Sequence, residues 1–213
     1  MKRFINLINA MPTQEQAFTS KRKTWNKFIV ENNEVSELLI AMFEENGNIE
    51  LSRKDLFEYS QESCLKMFVI ATIVWGYPAG MRGNNFSNIS INLKELVQVL
   101  KEAQYGIENW IEHYKKVEPI KGLGLSTYTK LLYFLDVKVE GESALILDNR
   151  IVNIIEKGLF PELDAINTDN AVHNYPNYLK EMDKISKSYK VDSDKLEMFL
   201  FEFGLNLKLV NAD

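Results

Sequence analysis

Apolar residues recur three and four positions apart through most of this sequence, and this spacing constrains its fold more than any other feature. Such spacing is typical of amphipathic helices that bury one face. The segments with this pattern are predicted helices: 14–31, 35–45, 62–74, 93–104, 107–116, 126–136, 149–157 and 193–203. Only the short segments 137–139 and 144–147 look extended, which is too little for a sheet. We therefore predict an all-α fold.

Residues near several predicted helix ends are of the types that cap helices. Asn92 with Glu95, and Asp194 with Glu197, resemble capping boxes at helix starts. Gly158 follows the predicted helix at 149–157, where a glycine that ends a helix is expected.

The length and composition indicate a globular protein. The chain has 213 residues, of which 46% are hydrophobic, enough for a sizeable core. We expect one compact domain over 1–213, with an N-terminal helical part at about 1–75, a central part at 76–160 and C-terminal helices at 161–213. The net charge of −5 argues against a non-specific nucleic-acid binder. It does not argue against a protein that holds DNA through one local site.

Other classes of protein are also disfavoured. No apolar run reaches the length of a membrane span, and the N-terminal segment lacks the apolar core of a signal peptide. Cys64 is the single cysteine, so no disulfide can form within the chain, which suits a reducing cytosol. With only His113 and His173 in addition, a zinc site built from Cys and His is not expected. We expect a cytoplasmic protein without membrane contact.

Two long segments, 75–88 and 160–177, do not have a helical pattern. Long loops in compact domains are often functional, although either segment could also be a simple connector. The first contains three glycines, a proline and Arg82. An arginine among glycines suits close approach of the backbone to a ligand, so we favour a function for this loop.

The sequence Ile-Lys-Gly-Leu-Gly at 120–124 runs directly into a predicted helix. Glycine permits an unusual turn and removes the Cβ atom that would keep another backbone away. Leu123 can anchor the turn in the core, while the free N–H groups of the next helix form an anion site suited to a DNA phosphate. Alone, this motif is weak evidence, because most such turns have no function.

The helix that follows this turn carries a lysine on the face opposite its apolar stripe. Its apolar stripe is Tyr128, Leu131, Leu132 and Leu135. The opposite face carries Ser126, Lys130 and Tyr133. Because helical side chains lean toward the N-terminus, Lys130 is expected to lean over Ser126 toward the turn. The alternative is an ordinary surface lysine.

An aspartate follows the apolar segment 144–147, at the predicted start of another helix. Asp148 can therefore be a helix cap. It can equally be a fixed, partly desolvated carboxylate, and the two roles are compatible.

At these residues the sequence resembles the helix-hairpin-helix DNA glycosylase superfamily, whose members carry a hairpin, a Gly/Pro-rich loop and a catalytic aspartate. The superfamily pattern is Leu-Pro-Gly-x-Gly, a helix, and then an apolar segment that ends Val-Asp-x-His/Arg. The corresponding segments here are 120–124 and Leu-Asp-Asn-Arg at 147–150. Within the superfamily the chain most resembles bacterial 8-oxoguanine DNA glycosylase-like proteins, through segments 75–83 and 195–204. The resemblance implies a helix-hairpin-helix glycosylase fold, with two helical lobes around a cleft.

The chain departs from the superfamily pattern at two positions. Lys121 replaces the usual hairpin proline, and Ser126 occupies the position of the nucleophilic lysine in bifunctional enzymes. A serine there is also found in the monofunctional adenine-mismatch branch. Lys130 lies one turn later on the same face, so we interpret it as a relocated nucleophile.

The resemblance also implies roles for particular residues. Lys130 and Asp148 would be catalytic, the aspartate stabilising positive charge that develops on the sugar. Contacts to DNA would come from Arg82, Lys121, Gly122, Leu123, Gly124, Ser126 and Arg150. The base pocket would contain Trp75, Tyr77, Phe199 and Phe203. A monovalent or divalent cation could bind the main-chain carbonyls of Glu118, Ile120 and Leu123, although no cofactor is required.

The partner implied is double-stranded DNA with a modified base, bound by a monomer. The favoured function is excision of 8-oxoguanine with accompanying abasic-site lyase activity. Three alternatives stay open: a glycosylase for another base, including hypermodified bases of viral DNA; a non-catalytic helix-hairpin-helix DNA-binding protein; and a helical interaction protein with a chance glycine turn.

Overall fold

The computed structural model describes residues 1–31, 33–43 and 47–207. Its helices are α1 Ile5–Asn9, α2 Arg22–Trp25, α3 Glu34–Met42, α4 Arg53–Glu62, α5 Leu65–Gly76, α6 Asn85–Ile91, α7 Leu93–Ala103, α8 Trp110–Val117, α9 Leu125–Phe134, α10 Asn149–Glu156, α11 Tyr175–Tyr189 and α12 Ser193–Phe203. Its strands are β1 Ala17–Lys21, β2 Asn48–Ser52, β3 Lys138–Val139 and β4 Glu142–Ser143. The predicted all-α fold is confirmed. No helix in the described ranges is both long enough and apolar enough to cross a membrane.

Two buried helices form the centre of the structure. In α5 every residue from Phe68 to Trp75 is buried, and in α9 every residue from Thr127 to Phe134 is buried. The two helices pack against each other, and α3, α4, α7 and β1 pack around α5. α5 is apolar on nearly all sides, as expected where every face has a neighbour, whereas α9 also buries Thr127, Thr129 and Lys130.

A second group of helices surrounds α12, which packs against α1, α10 and α11. A cleft runs between this group and the central pair. It is lined by the loop after α5, the turn before α9 and the start of α10. The segments that the sequence analysis singled out therefore meet at one cleft.

The helix predicted at 14–31 is wrong. Residues Ala17–Lys21 form β1, which pairs antiparallel with β2 so that Phe18 lies opposite Leu51. Only Arg22–Trp25 of the predicted segment is α-helical, and a short 3-10 turn follows it. The partner strand lies beyond α3 in the sequence. Local spacing of apolar residues therefore cannot reveal the pairing.

Four helices lie almost wholly outside the predicted segments: α1, α4, α6 and α11. α6 begins at Asn85, inside the segment 75–88 that has no helical pattern in the sequence. α4 follows Ser52, whose hydroxyl and amide form a capping box with Asp55, a signal that is visible in the sequence. α11 begins inside the segment 160–177 that was expected to be a loop, and Pro176 in its first turn is typical of a helix start. The predicted helix at 35–45 corresponds to α3, although residues 44 and 45 lie outside the described ranges.

Both predicted capping boxes are wrong. The Asn92 side chain makes no cap bond to α7 and donates to the Asn88 carbonyl at 2.8 Å instead. α12 is preceded by Asp192 and has no side-chain cap. Glu197, the expected cap partner, pairs with Arg53. Gly158 follows α10 with φ of +57°, so the glycine predicted at that helix end is confirmed.

Candidate active site

The turn before α9 contains two glycines with different surroundings. Gly122 has φ of +84°, and a Cβ atom there would lie 2.5 Å from the Asn85 carbonyl oxygen. The backbone of Gly122 therefore packs directly against the start of α6, and a side chain would force the two segments apart. Leu123 is buried and anchors the turn in the core, as predicted.

Gly124 faces open space. It is exposed, its φ is −83°, and no atom lies within 4 Å of a Cβ atom added there. It directly precedes α9, whose first N–H groups have no carbonyl partner inside the helix. An open backbone in front of free amides suits an approaching phosphate. Binding of DNA at this position stays a prediction.

We expect Gly124→Trp to weaken affinity for duplex DNA several-fold while the fold is preserved. The new side chain has room on the protein side, but it occupies the space through which a phosphate would reach the α9 amides. Affinity can be measured by fluorescence anisotropy, and the fold by circular dichroism. Gly124→Ala is the matched control, because its Cβ meets nothing and affinity should stay near the parent value. Unchanged affinity in folded Gly124→Trp would indicate an ordinary turn.

Lys130 is buried, which contradicts the alternative of an ordinary surface lysine. Its side chain is 7% exposed, because neighbouring elements cover every face of α9, including the one that carries Tyr133. The amine donates to Ser126 Oγ at 2.8 Å and to the Ser126 carbonyl at 3.2 Å. It also lies 5.8 Å from the centre of the Tyr77 ring. The lysine thus leans over Ser126 toward the turn, as its helical position predicts.

The surroundings of Lys130 favour the neutral amine. Burial lowers its pKa from the ordinary lysine value, and Arg53 acts in the same direction. The carboxylates of Asp148 and Glu197 act in the opposite direction, but burial has the largest effect. A neutral amine has a free electron pair and is therefore a nucleophile.

If Lys130 attacks the sugar, the rate of Schiff-base formation should level off at a lower pH than it would for an ordinary lysine. The rate follows the neutral fraction of the amine, which reaches its maximum above the pKa. The lowered pKa therefore moves the plateau below the ordinary lysine value of ~10.4. Borohydride trapping on a preformed abasic site, measured in single turnovers from pH 6 to 10, tests this. A rate that still rises tenfold per pH unit up to pH 10 would contradict it.

Asp148 caps α10 and lies half-buried at the cleft. Its carboxylate accepts hydrogen bonds from the N–H groups of Arg150 at 2.9 Å and Ile151 at 3.2 Å. Because Asp148 lines the same cleft as Lys130, the structure brings together the two residues predicted to be catalytic. The carboxylate is fixed before any substrate binds.

The extended segment 144–147 that leads to Asp148 belongs to no sheet. Side chains from two helices satisfy its backbone: Tyr175 Oη donates to the Leu145 carbonyl at 2.7 Å, Tyr178 Oη donates to the Ile146 carbonyl at 3.0 Å, and the Leu147 N–H donates to Thr129 Oγ1 at 3.1 Å. Since α9 supplies both Thr129 and Lys130, the lysine and the aspartate segment are held in fixed relation. The two α11 tyrosines were missed, because α11 itself was not predicted.

A smaller cavity opens beside Lys130 and Asp148. Its volume is about 290 Å³, near the ~300 Å³ lower end for small-molecule sites. Its walls are mostly apolar and aromatic: Phe18, Trp75, Pro78, Ile146 and Phe201. Gln16, Arg53, Arg150 and Glu197 add polar groups. The strand and the α4 helix that were not predicted therefore contribute part of this cavity.

Arg53 and Glu197 form a buried ion pair at the cavity, which the sequence analysis did not find. Arg53 donates to Glu197 Oε2 at 2.8 Å and to Gln16 Oε1 at 2.7 Å. The guanidinium also lies 5.1 Å from the Tyr133 ring centre. Burial raises the pKa of Glu197, and the positive charge of Arg53 opposes this rise. The pair joins α4 to α12, so no local sequence pattern indicates it.

The aromatic residues predicted for the base pocket lie in different places. Trp75 lines the cavity, and Tyr77 lines the adjoining cleft, where its hydroxyl lies 2.8 Å from Thr127 Oγ1. Phe199 is fully buried in the core against Phe4 and Phe160, and Phe203 lines neither space. For these two residues the assignment is corrected, because Phe201 is the α12 aromatic at the cavity.

The basic residues predicted to contact DNA are exposed. Arg82 and Arg150 both line the cleft. The Arg150 guanidinium lies 4.8 Å from the centre of the Phe201 ring. Lys121 is also exposed, but it lines neither the cleft nor the cavity. Their contacts with DNA stay predictions.

A comparison with protein families decides where this chain belongs. The family model described as "Putative 8-oxoguanine DNA glycosylase OGG-like protein" matches residues 11–201. The chain belongs to this OGG-like family. The matched range includes the glycine turn, Lys130, Asp148 and the Arg53–Glu197 pair. No curated protein and no solved structure matches the chain.

Membership in the OGG-like family makes DNA glycosylase the general class of this protein and DNA its partner.

The cation at the glycine turn stays a prediction. Carbonyl oxygens suit hard cations, and the Ile120 carbonyl already accepts the Leu123 N–H at 3.1 Å. One lone pair of that oxygen remains, so the turn is compatible with a cation held by main-chain oxygens. Within the described ranges, no cluster of three or more His, Cys, Asp or Glu side chains could hold a metal.

Proposed function

We propose that this protein is a DNA glycosylase with abasic-site lyase activity, acting on a purine damaged by oxidation, with 8-oxoguanine the favoured substrate. The observation that carries the proposal is the buried Lys130 amine beside a cleft that also contains Asp148 and the open glycine turn. Family membership supports the glycosylase class. The lyase activity and the choice of base are our inference.

Duplex DNA would bind across the cleft. The α9 amides behind Gly124 would hold a phosphate, and Arg82 would contact the strand opposite or fill the gap that the extruded base leaves. A glycosylase must take its target base out of the duplex before it can reach the bond to the sugar. The cavity beside Lys130 is the space available for that base.

In the chemical step, the bond between C1′ and the base nitrogen breaks, and the base leaves with the electron pair. Positive charge develops on the sugar, and the Asp148 carboxylate stabilises it. The neutral Lys130 amine bonds to C1′ and loses one proton to the departing base and one to O4′ as the ring opens. Protonation of the Schiff base makes the C2′ proton acidic. Water removes that proton, a C2′=C3′ double bond forms, and the 3′ phosphate leaves with the electron pair of the C3′–O bond, which nicks the strand.

The proposal is tested by incubating the wild-type protein with duplexes that carry different lesions, with and without borohydride. We expect release of 8-oxoguanine, nicking without added alkali, and a covalent protein–DNA adduct in the presence of borohydride. Base release with neither nicking nor adduct would mean that Asp148 activates water and that the enzyme is monofunctional. Release of only another modified base would reassign the substrate. DNA binding without any excision would favour the non-catalytic alternative.

A further inference from the structure

Glu197 has an unusual place in the site. It lines the cavity together with Lys130 and Asp148, yet its side chain exposes no surface to solvent. It therefore forms the floor of the cavity and not its rim. Oε2 accepts the Arg53 hydrogen bond at 2.8 Å, whereas Oε1 is buried and has no hydrogen-bond partner within the described ranges.

An unpartnered carboxylate oxygen is costly to bury, because it has lost its water without gaining a donor. The two side chains that form hydrogen bonds in this cluster, Arg53 and Gln16, already direct their donors elsewhere, and the neighbouring Tyr133 hydroxyl makes no hydrogen bond to Glu197. Arg53 is fixed by Glu197 Oε2 on one side and by Gln16 Oε1 on the other, and the Gln16 amide donates to Glu202 at 2.6 Å. Glu197 Oε1 can therefore accept a hydrogen bond from a donor on a bound ligand.

We propose that Glu197 binds the extruded base, its free oxygen Oε1 accepting a hydrogen bond from a ring N–H of a base inserted into the cavity. This inference rests on the proposed function, because the cavity must be the base pocket. Arg53 is a positioning residue: its permanent charge and its two hydrogen bonds hold the carboxylate in place. The substrate class is therefore a base that directs an N–H group at the pocket floor, as an oxidised guanine can through N1–H or N7–H.

A base that lacks this donor would leave the buried oxygen unpaired and would be excised slowly. Hydrogen bonds to charged groups contribute about 1.5–3 kcal/mol, which corresponds to roughly a 10- to 100-fold change in rate. The aromatic walls give no comparable selection, because every base has a face that can stack.

The test uses Glu197→Gln with two substrates. On a duplex that contains 8-oxoguanine we expect single-turnover excision to fall roughly 10- to 100-fold, since the amide loses the charge that strengthens the hydrogen bond. A duplex with a preformed abasic site has no base to bind. Because Glu197 also raises the pKa of Lys130, trapping is compared at a pH on the plateau of the rate, where the amine is already neutral, and there it should stay within about twofold of wild type. Asp194→Asn, on the same helix but away from the cavity, should change neither rate.

The two substrates separate failure of this inference from failure of the proposed function. Wild-type protein that traps no abasic site would refute the lyase proposal, whatever Glu197 does. If Glu197→Gln excised 8-oxoguanine at the wild-type rate, the base-binding role of Glu197 would be overturned. Loss of both excision and trapping in a folded variant would also overturn it, because Glu197 would then act on the chemistry itself.

A second measurement needs no variant and applies even if Glu197→Gln fails to fold. Wild-type protein is given 8-oxoguanine methylated at N1 or at N7, two changes that add the same bulk but remove different donors. We expect one isomer to be excised at least tenfold more slowly than the other. Equal rates for the two isomers would mean that the pocket floor accepts no particular N–H and would overturn the inference.

Discussion

Replacing Lys130 with glutamine should abolish borohydride trapping and strand nicking together. A Schiff base requires a primary amine, and a glutamine amide cannot provide one. The substitution removes the charge and the nucleophile, but it keeps a chain that can still fill much of the space on α9 and reach Ser126. Trapping on a preformed abasic site, with DNA affinity measured in parallel, gives a direct readout.

Lys121→Gln is the matched control for this experiment. Lys121 is exposed in the glycine turn and lines neither the cleft nor the cavity. At protein concentrations that saturate the DNA, its loss should therefore leave trapping near the wild-type level, even if Lys121 contacts a phosphate. Trapping that persists in Lys130→Gln would mean that another amine carries out the reaction. If Lys121→Gln lost it instead, the nucleophile would be in the turn.

Asp148→Asn should remove nearly all base excision and leave DNA binding largely intact. Asparagine caps helices as well as aspartate does, so α10 and the hydrogen bonds to the Arg150 and Ile151 amides can remain. The negative charge that stabilises the developing cation is lost. Removal of one such stabilising group typically lowers rates by about 10²–10³-fold. Single-turnover excision and DNA affinity, measured on the same lesion duplex, separate the two effects.

Asp55→Asn offers a matched control for the loss of a capping carboxylate. Asp55 belongs to the capping box of α4 and lies outside the cleft and the cavity. Its substitution should lower thermal stability without a comparable loss of excision. An Asp148→Asn variant that excises as fast as wild type would refute the assignment of Asp148 as a catalytic residue.

Local sequence patterns could reveal those residues of the site that come from neighbouring segments of the chain. The glycine turn, Lys130 and Asp148 all lie within 120–150, and each depends on a local cue: a glycine pair, helical spacing and a helix cap. These cues placed Lys130 over Ser126 and Asp148 at the start of α10. The burial of Lys130 could not be predicted, because the elements that cover it come from elsewhere in the chain.

The part that could not be predicted depends on pairs of residues far apart in sequence. Arg53 and Glu197 meet only after α4 and α12 pack on either side of the cavity. From sequence alone, Glu197 looked like a helix cap partner. The same holds for β1, since residues 17–21 extend only because β2 is available to pair with them. Local periodicity contains no information about such partners.

The close contact between Gly122 and Asn85 has an entropic consequence for DNA binding. It joins the glycine turn to the segment that follows Arg82, so the spacing between these two surfaces is set in the free protein. Little conformational freedom need be lost there when a duplex binds, and the protein is preorganised. The duplex must then adapt to a nearly rigid surface. The protein should therefore bind more tightly to duplexes with flexible or already weakened base steps, because these steps bend at a lower cost in free energy. This preference would act before any base is contacted.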